Sequence, residues 1–222
     1  MRDVKELDAL WQSYQLRVTD EIVRSPEVLF CNGSAIGTLG NFSASTGKAK
    51  SKKTFNVSAI LAAALTNGDV LRYIAEFPDD KRTILYFDPE QSPHHCQRVM
   101  KRALRLAGLP VDRHPENLIF AQLRAITPDL RLELIDNAIA NTPNVGLVII
   151  DGVRDLMFDI NNAIESSRLI GKLMEWTDKY QMHIHTVLHL NKSDDNVRGH
   201  VGTELNNKAE TVLQVCKSTM NS

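Results

Sequence analysis

An α/β fold, a mostly parallel twisted sheet with helices on both faces, is what this sequence predicts, and three observations predict it. Short β-rich runs alternate with helical stretches along most of the chain, the pattern of strand–helix–strand units. One run, 146–150 (GLVII), is continuously apolar, as strands buried on both faces of a parallel sheet are. A turn rich in lysine, with Lys48, Lys50, Lys52 and Lys53 inside it, joins an extended run to an alanine-rich helix.

The elements follow in order. Leu7, Leu10, Trp11 and Tyr14 recur at helical spacing, which predicts an amphipathic N-terminal helix over 4–24, ended by Pro26. Two extended segments, 28–31 and 36–45, come next, with glycines between them. The stretch 55–65 reads as a buried helix and 83–87 (TILYF) as a strand. Residues 93–106 form a helix with Val99, Ala103, Leu104 and Leu106 on its apolar face. A brief strand at 117–120 and a helix at 129–140 lead to the apolar strand 146–150. A helix over 163–179, a strand over 183–188 and a last extended run, 210–215, close the pattern. The expected organisation is an N-terminal helix within 1–25 and one domain over 26–222.

Bulk properties agree with a single α/β domain. The 222 residues are 43% hydrophobic and 24% charged, an ordinary globular balance. A net charge of -1 gives no general attraction to nucleic acid, so such contact needs a local patch or an assembled ring. No apolar run reaches the ~20 residues of a membrane span, and the charged N-terminus lacks a signal-peptide core. A cytoplasmic location is expected. Cys31, Cys96 and Cys216 are scattered and odd in number, which suits buried reduced thiols.

The chemistry concentrates in four blocks. The first, Gly47-Lys48-Ala49-Lys50-Ser51-Lys52-Lys53-Thr54, follows the phosphate-loop pattern G-x-x-x-x-G-K-[ST] except that Lys52 stands where the second glycine belongs. In such a loop, backbone N–H groups and a helix N-terminus face the phosphates. Lys53 would reach the β- and γ-phosphates, and Thr54 would hold Mg²⁺ through its hydroxyl. The departure leaves Lys52 and Lys53 both open as the phosphate lysine, and a basic surface loop before a helix would carry the same lysines. The second block ends the strand 146–150 in Asp151, placed to support the Mg²⁺ shell; a loop-starting Asp beside Gly152 is the plainer alternative. The third, Asp88-Pro89-Glu90-Gln91-Ser92, sets a carboxylate just past a strand end, where α/β sheets build sites. Glu90 is the candidate general base and Asp88 its runner-up, unless this is a solvated turn capping the next helix. The fourth starts at His189, a candidate γ-phosphate sensor, and continues through Lys192 and Arg198, which could contact phosphate in the same or a neighbouring subunit. The other histidines (His94, His95, His114, His183, His185) show no metal spacing.

Taken together, GKAKSKKTF, LYFDPEQS, LVIIDGVRDL and VLHLNKSDDNVRGHVGTELNNKAETVLQV resemble the RecA-like P-loop ATPases of plasmid replication helicases of the RepA type. Small P-loop proteins of mobilisable elements are especially similar, and hexameric replicative helicases more distantly so. The resemblance runs from about residue 33 to 215. It implies ATP and Mg²⁺ as ligands, Glu90 as the water-activating residue, His189 as γ-phosphate sensor, and a loop with Lys192 and Arg198 facing a channel or adjacent subunit. It also implies single-stranded DNA as partner and a homo-oligomer such as a hexameric ring. Unwinding itself does not follow from it. A nucleotide-binding regulator or nucleic-acid-binding module without turnover is the alternative, motivated by the altered loop. A small-molecule kinase is a third, for which Arg124, Arg131 and Arg198 are the available arginines.

Overall fold

The computed structural model describes residues 3–48, 51–190 and 199–216. The chain begins with α1 (Val4–Ser13), N-capped by the Asp3 side chain, which accepts from the Lys5 N–H. The helix ends eleven residues before the reach that its periodicity over 4–24 predicted. It buries none of its residues, so no packing stabilises further turns. Beyond it the Arg17 N–H donates to Asp20 at 2.7 Å, a local turn in place of helix.

A β-hairpin follows, β1 (Glu27–Cys31) and β2 (Ser34–Thr38), turned by Asn32 and Gly33, both at positive φ. The single extended segment expected over 36–45 is two strands in different sheets. Leu39, Gly40 and Asn41 break it, and β3 (Phe42–Gly47) starts a new sheet. Next come α2 (Lys53–Thr66), the short strands β4 (Asp69–Val70) and β5 (Tyr73–Ala75), β6 (Thr83–Asp88) and α3 (Pro93–Leu106). They are followed by β7 (Leu118–Gln122), α4 (Pro128–Asn141), β8 (Val145–Asp151), α5 (Ala163–Tyr180) and β9 (His183–His189). Helix α6 (Gly199–Lys208) and β10 (Thr211–Gln214) close the chain. Both β4–β5 and α6 lie outside the elements the sequence predicted: the two strands are too short for a period to register, and α6 is mostly polar.

Six strands pair in parallel in the order β10-β3-β9-β8-β6-β7, with helices on both faces, the predicted architecture. A smaller antiparallel sheet, β2-β1-β5-β4, adds to one side. The central strands alternate their side chains between two cores. Ile84, Tyr86, Leu147 and Ile149 join α2, α3 and the small sheet. Leu85, Phe87, Val148 and Ile150 join the core containing α4, α5 and α6 residues. This is why 146–150 carries no polar residue: each position is interior to one layer or the other. Each fully buried aliphatic stabilises by about 1.5–3 kcal/mol. Helix α2 is buried along Val57–Leu65 because it lies between the large sheet, α3 and the small sheet. It stops where Asn67 turns left-handed and the Gly68 N–H bonds back to the Ala63 carbonyl at 3.2 Å.

Candidate active site

Strand register brings the predicted blocks to one edge of the sheet. Gly47 pairs with His189, Val187 with Asp151, and Ile150 with Phe87, the residue before Asp88. The C-terminal ends of β3, β9, β8 and β6 therefore lie side by side, the position at which open parallel sheets bind ligands. A cleft of about 250 Å³ opens there, lined by Lys53, Thr54, Glu90, Asp151 and His189, with Gln91 and Val187 completing its wall.

The loop entering α2 is tight. A Cβ on Gly47 would sit 2.5 Å from the Ser51 hydroxyl oxygen and 2.6 Å from the Val215 carbonyl oxygen, so only glycine fits. Lys52, in the place of the motif's second glycine, adopts φ 70 and ψ 28, the left-handed backbone glycine prefers, while its side chain stays exposed. Lys53 is buried, and its ammonium donates to the carbonyls of Gly47 (2.6 Å) and Lys48 (2.9 Å). Burial lowers its pKa from the usual lysine value, while the charges of Asp151 and Glu90 oppose that shift. Ser51 is buried with its hydroxyl oxygen unpaired among the described residues. Ala49 and Lys50 of the loop, and Lys192 and Arg198 farther on, lie outside the described residues.

Three carboxylates meet opposite this loop, in three different environments. Asp151 is buried, accepts from the Tyr86 hydroxyl at 2.8 Å, and has its pKa pushed up to about 6. Burial is the main cause, and Asp88 and Glu90 add to it, while the Tyr86 hydrogen bond and His189 act the other way. Asp88 is fully spent on its own turn. It accepts from the backbone N–H groups of Glu90 (3.0 Å) and Gln91 (2.7 Å) and from the Gln91 side chain (2.8 Å). Burial raises its pKa. Asp88 thus builds the loop that presents Glu90 and is badly placed to be the base. Glu90 is half exposed, with its carboxylate 3.8 Å from the His189 ring nitrogen. His189 is the largest influence holding that carboxyl below the usual glutamate range; burial opposes it, and Arg154 and Lys53 reinforce it.

Residues 35–195 match the family model described as an AAA domain. That span covers most of the chain. The chain belongs to the AAA domain family. It has the fold of a P-loop ATPase, and the AAA assignment brings nucleotide binding with it as the family's activity. A search of the curated proteins finds no match.

The residues of this AAA domain fit a nucleotide with Mg²⁺. Gly47 leaves room that a Cβ would fill, and among the described residues Ser51 holds an unpaired buried hydroxyl and Lys53 donates to two loop carbonyls. Among the described residues no group of three His, Cys, Asp or Glu side chains is spaced to hold a metal. Two further residues bear on the site. Tyr86 was legible only as an apolar strand position, yet its hydroxyl serves Asp151. Arg154, in the turn after β8, adds positive charge near Glu90, and its place three residues past Asp151 was the available signal. Arg131, weighed as a lid arginine, instead clamps three backbone carbonyls, those of Leu123, Arg124 and Asp155. Among the described residues no helix is long and apolar enough to cross a membrane.

Proposed function

We propose that this AAA domain binds ATP with Mg²⁺ in the cleft between α2 and the ends of β6, β8 and β9, and hydrolyses it with Glu90 as general base. The observation that supports this most is the convergence of Lys53, Thr54, Glu90, Asp151 and His189, from four separate segments, on one cleft. Lys53 leaves the two loop carbonyls and meets the β- and γ-phosphates. Backbone N–H groups at the start of α2 face the same phosphates. The Thr54 hydroxyl and the Asp151 carboxylate, which line the same cleft, would hold Mg²⁺. When bound there, the ion would supply charge neutralisation on the transferring phosphate. Glu90 takes the proton of the attacking water. Its depressed pKa keeps it ionised, and Asp88 fixes its loop. His189 stands beside Glu90 and senses the γ-phosphate.

Lys52 supports turnover over a passive regulator. It takes up the left-handed conformation that the missing glycine would have, so the entry into α2 tolerates the substitution. For the biological setting, the motif order resembles RepA-type helicases, which favours action on single-stranded DNA by a homo-oligomer in replication or mobilisation of a genetic element. The N-terminal helix supports self-association, since Leu7, Leu10, Trp11 and Tyr14 all stand exposed on it. The test is phosphate release by the wild type and Glu90→Gln, with and without single-stranded DNA. Hydrolysis that Glu90→Gln loses while retaining ATP binding is the expected result. A variant that hydrolyses like wild type would overturn the role of Glu90, and transfer of phosphate to a small alcohol would favour a kinase.

A further inference from the structure

Beneath the phosphate loop, β3 and β9 carry an unusual amount of buried polar chemistry. Ser43, Ser45, His183 and His185 are all fully buried. They form one connected path. The His183 Nδ1 lies 3.0 Å from the Thr38 carbonyl oxygen, and its Nε2 lies 2.7 Å from the Ser43 hydroxyl. Ser43 also lies 2.8 Å from His185 Nδ1, and His185 Nε2 lies 2.9 Å from the Ser45 hydroxyl. Asn56 on α2 donates to Ser45 at 3.1 Å and accepts from the Tyr73 hydroxyl of β5 at 2.5 Å.

The direction of every bond is forced from one end. A carbonyl only accepts, so His183 must carry its proton on Nδ1. Burial lowers the pKa of His183 to about 4 and that of His185 to about 3, so each ring is neutral and has one N–H. The Nε2 of His183 then accepts, and Ser43 must donate to it. With its single proton spent, Ser43 can only accept from His185 Nδ1–H. His185 Nε2 therefore accepts from Ser45, and Ser45 in turn accepts from the amide group of Asn56. That leaves the Asn56 carbonyl oxygen for Tyr73. The far end is held as well, because Glu210 accepts from both the N–H and the hydroxyl of Thr38. No member can reverse alone without setting two acceptors or two donors face to face.

Asn56 is one helical turn beyond Lys53, and Ser45 is two residues before Gly47. The bond between them joins the two flanks of the phosphate loop. We infer that Asn56 is a positioning residue for the nucleotide site, fixed by a one-directional hydrogen-bond chain from Tyr73 through Ser45, His185, Ser43 and His183 to the Thr38 carbonyl. This rests on the proposed function in that the loop is taken to bind phosphate. The chain ties the antiparallel sheet to the loop, which gives that added sheet a purpose beyond covering α2.

The test uses Asn56→Asp, which keeps the shape and removes the donor, beside Thr186→Val. Thr186 donates to the Ser43 carbonyl at 3.2 Å from the opposite face of the sheet and so stands off the chain. Imidazole nitrogen NMR of the wild type is expected to show His183 and His185 both protonated on Nδ1 alone. Titration with a non-hydrolysable ATP analogue and Mg²⁺, below the melting point of each variant, is expected to show about tenfold weaker binding for Asn56→Asp. Thr186→Val is expected to lower the melting temperature and bind as wild type. An Nε2-protonated ring would overturn the chain. Equal binding by wild type and Asn56→Asp would overturn the positioning role, as would an equal loss in Thr186→Val. Absence of binding by the wild type would instead remove the nucleotide reading itself, and the positioning role with it.

Discussion

The two ends of β3 and β9 bury polar groups for opposite purposes. Near the start of the strands, Ser43, Ser45, His183 and His185 are neutral, and each has a partner. At the C-terminal edge the buried charges are unevenly compensated, Lys53 resting on two carbonyls and Asp151 having one hydroxyl partner, and beside them the neutral Ser51 hydroxyl is unpaired among the described residues. A saturated neutral network orders a core. A concentration of partly paired charge at one cleft is costly to the fold and marks a site at which a ligand completes the pairing.

Breaking the charged end should have the largest effect. Glu90→Gln should lower the hydrolysis rate by about 10²- to 10⁴-fold, measured as phosphate release under saturating ATP, with ATP binding retained. Asp151→Asn sharpens the contrast further, since it should trade activity for stability. The folded-state pKa of Asp151 is raised to about 6 from the usual 3.8, so the native state favours the protonated form. Native stability from this group is therefore present at low pH and is lost as pH rises through about 4 to 6. At neutral pH, Asp151→Asn should raise stability by on the order of 2 kcal/mol, seen in urea unfolding, with the advantage vanishing below about pH 4. Mg²⁺-dependent turnover should be lost. For the wild type, Mg²⁺-nucleotide binding should weaken as pH falls through about 6.

At the neutral end, Ser45→Ala leaves His185 without its donor and should cost about 1–3 kcal/mol, read by the same unfolding experiment. The smallest effect belongs to the loop backbone. Lys52→Gly relieves a left-handed non-glycine residue and restores the full motif, so it should be stabilising or neutral, by up to about 1 kcal/mol, with hydrolysis preserved. A marked loss would mean that the Lys52 side chain itself serves the nucleotide.

How much of this was legible in the sequence depended on the kind of signal. The strands 83–87 and 146–150 were readable because double-sided burial leaves them almost wholly apolar, Thr83 at the strand start being only half-buried. Helix 93–106 was readable to the residue, since Pro93 starts it and its apolar face repeats cleanly. The N-terminal helix was overextended because periodicity in Leu7, Leu10, Trp11 and Tyr14 signals an apolar face without saying whether anything covers it. The strands β4 and β5 were missed because they have two and three residues, β5 held by pairing with β1 and β4 by pairing with β5 rather than by their own pattern. In the site, Lys53, Thr54, Glu90, Asp151 and His189 stood at strand or helix ends where a motif could find them. The separation of Glu90 from Asp88 needed hydrogen bonds, as did the tautomers of His183 and His185, which composition and spacing do not encode. The choice between Lys52 and Lys53 likewise turns on a backbone angle and a burial, one side chain facing solvent and the other turned into the loop.

That choice gives the most direct measurement. A Mg²⁺-loaded, non-hydrolysable ATP analogue is titrated by calorimetry into Lys52→Ala and Lys53→Ala. If the cleft between α2 and Asp151 is the nucleotide site, Lys53→Ala loses binding and Lys52→Ala keeps most of it. Equal affinity in the two variants, or loss confined to Lys52→Ala, would contradict it.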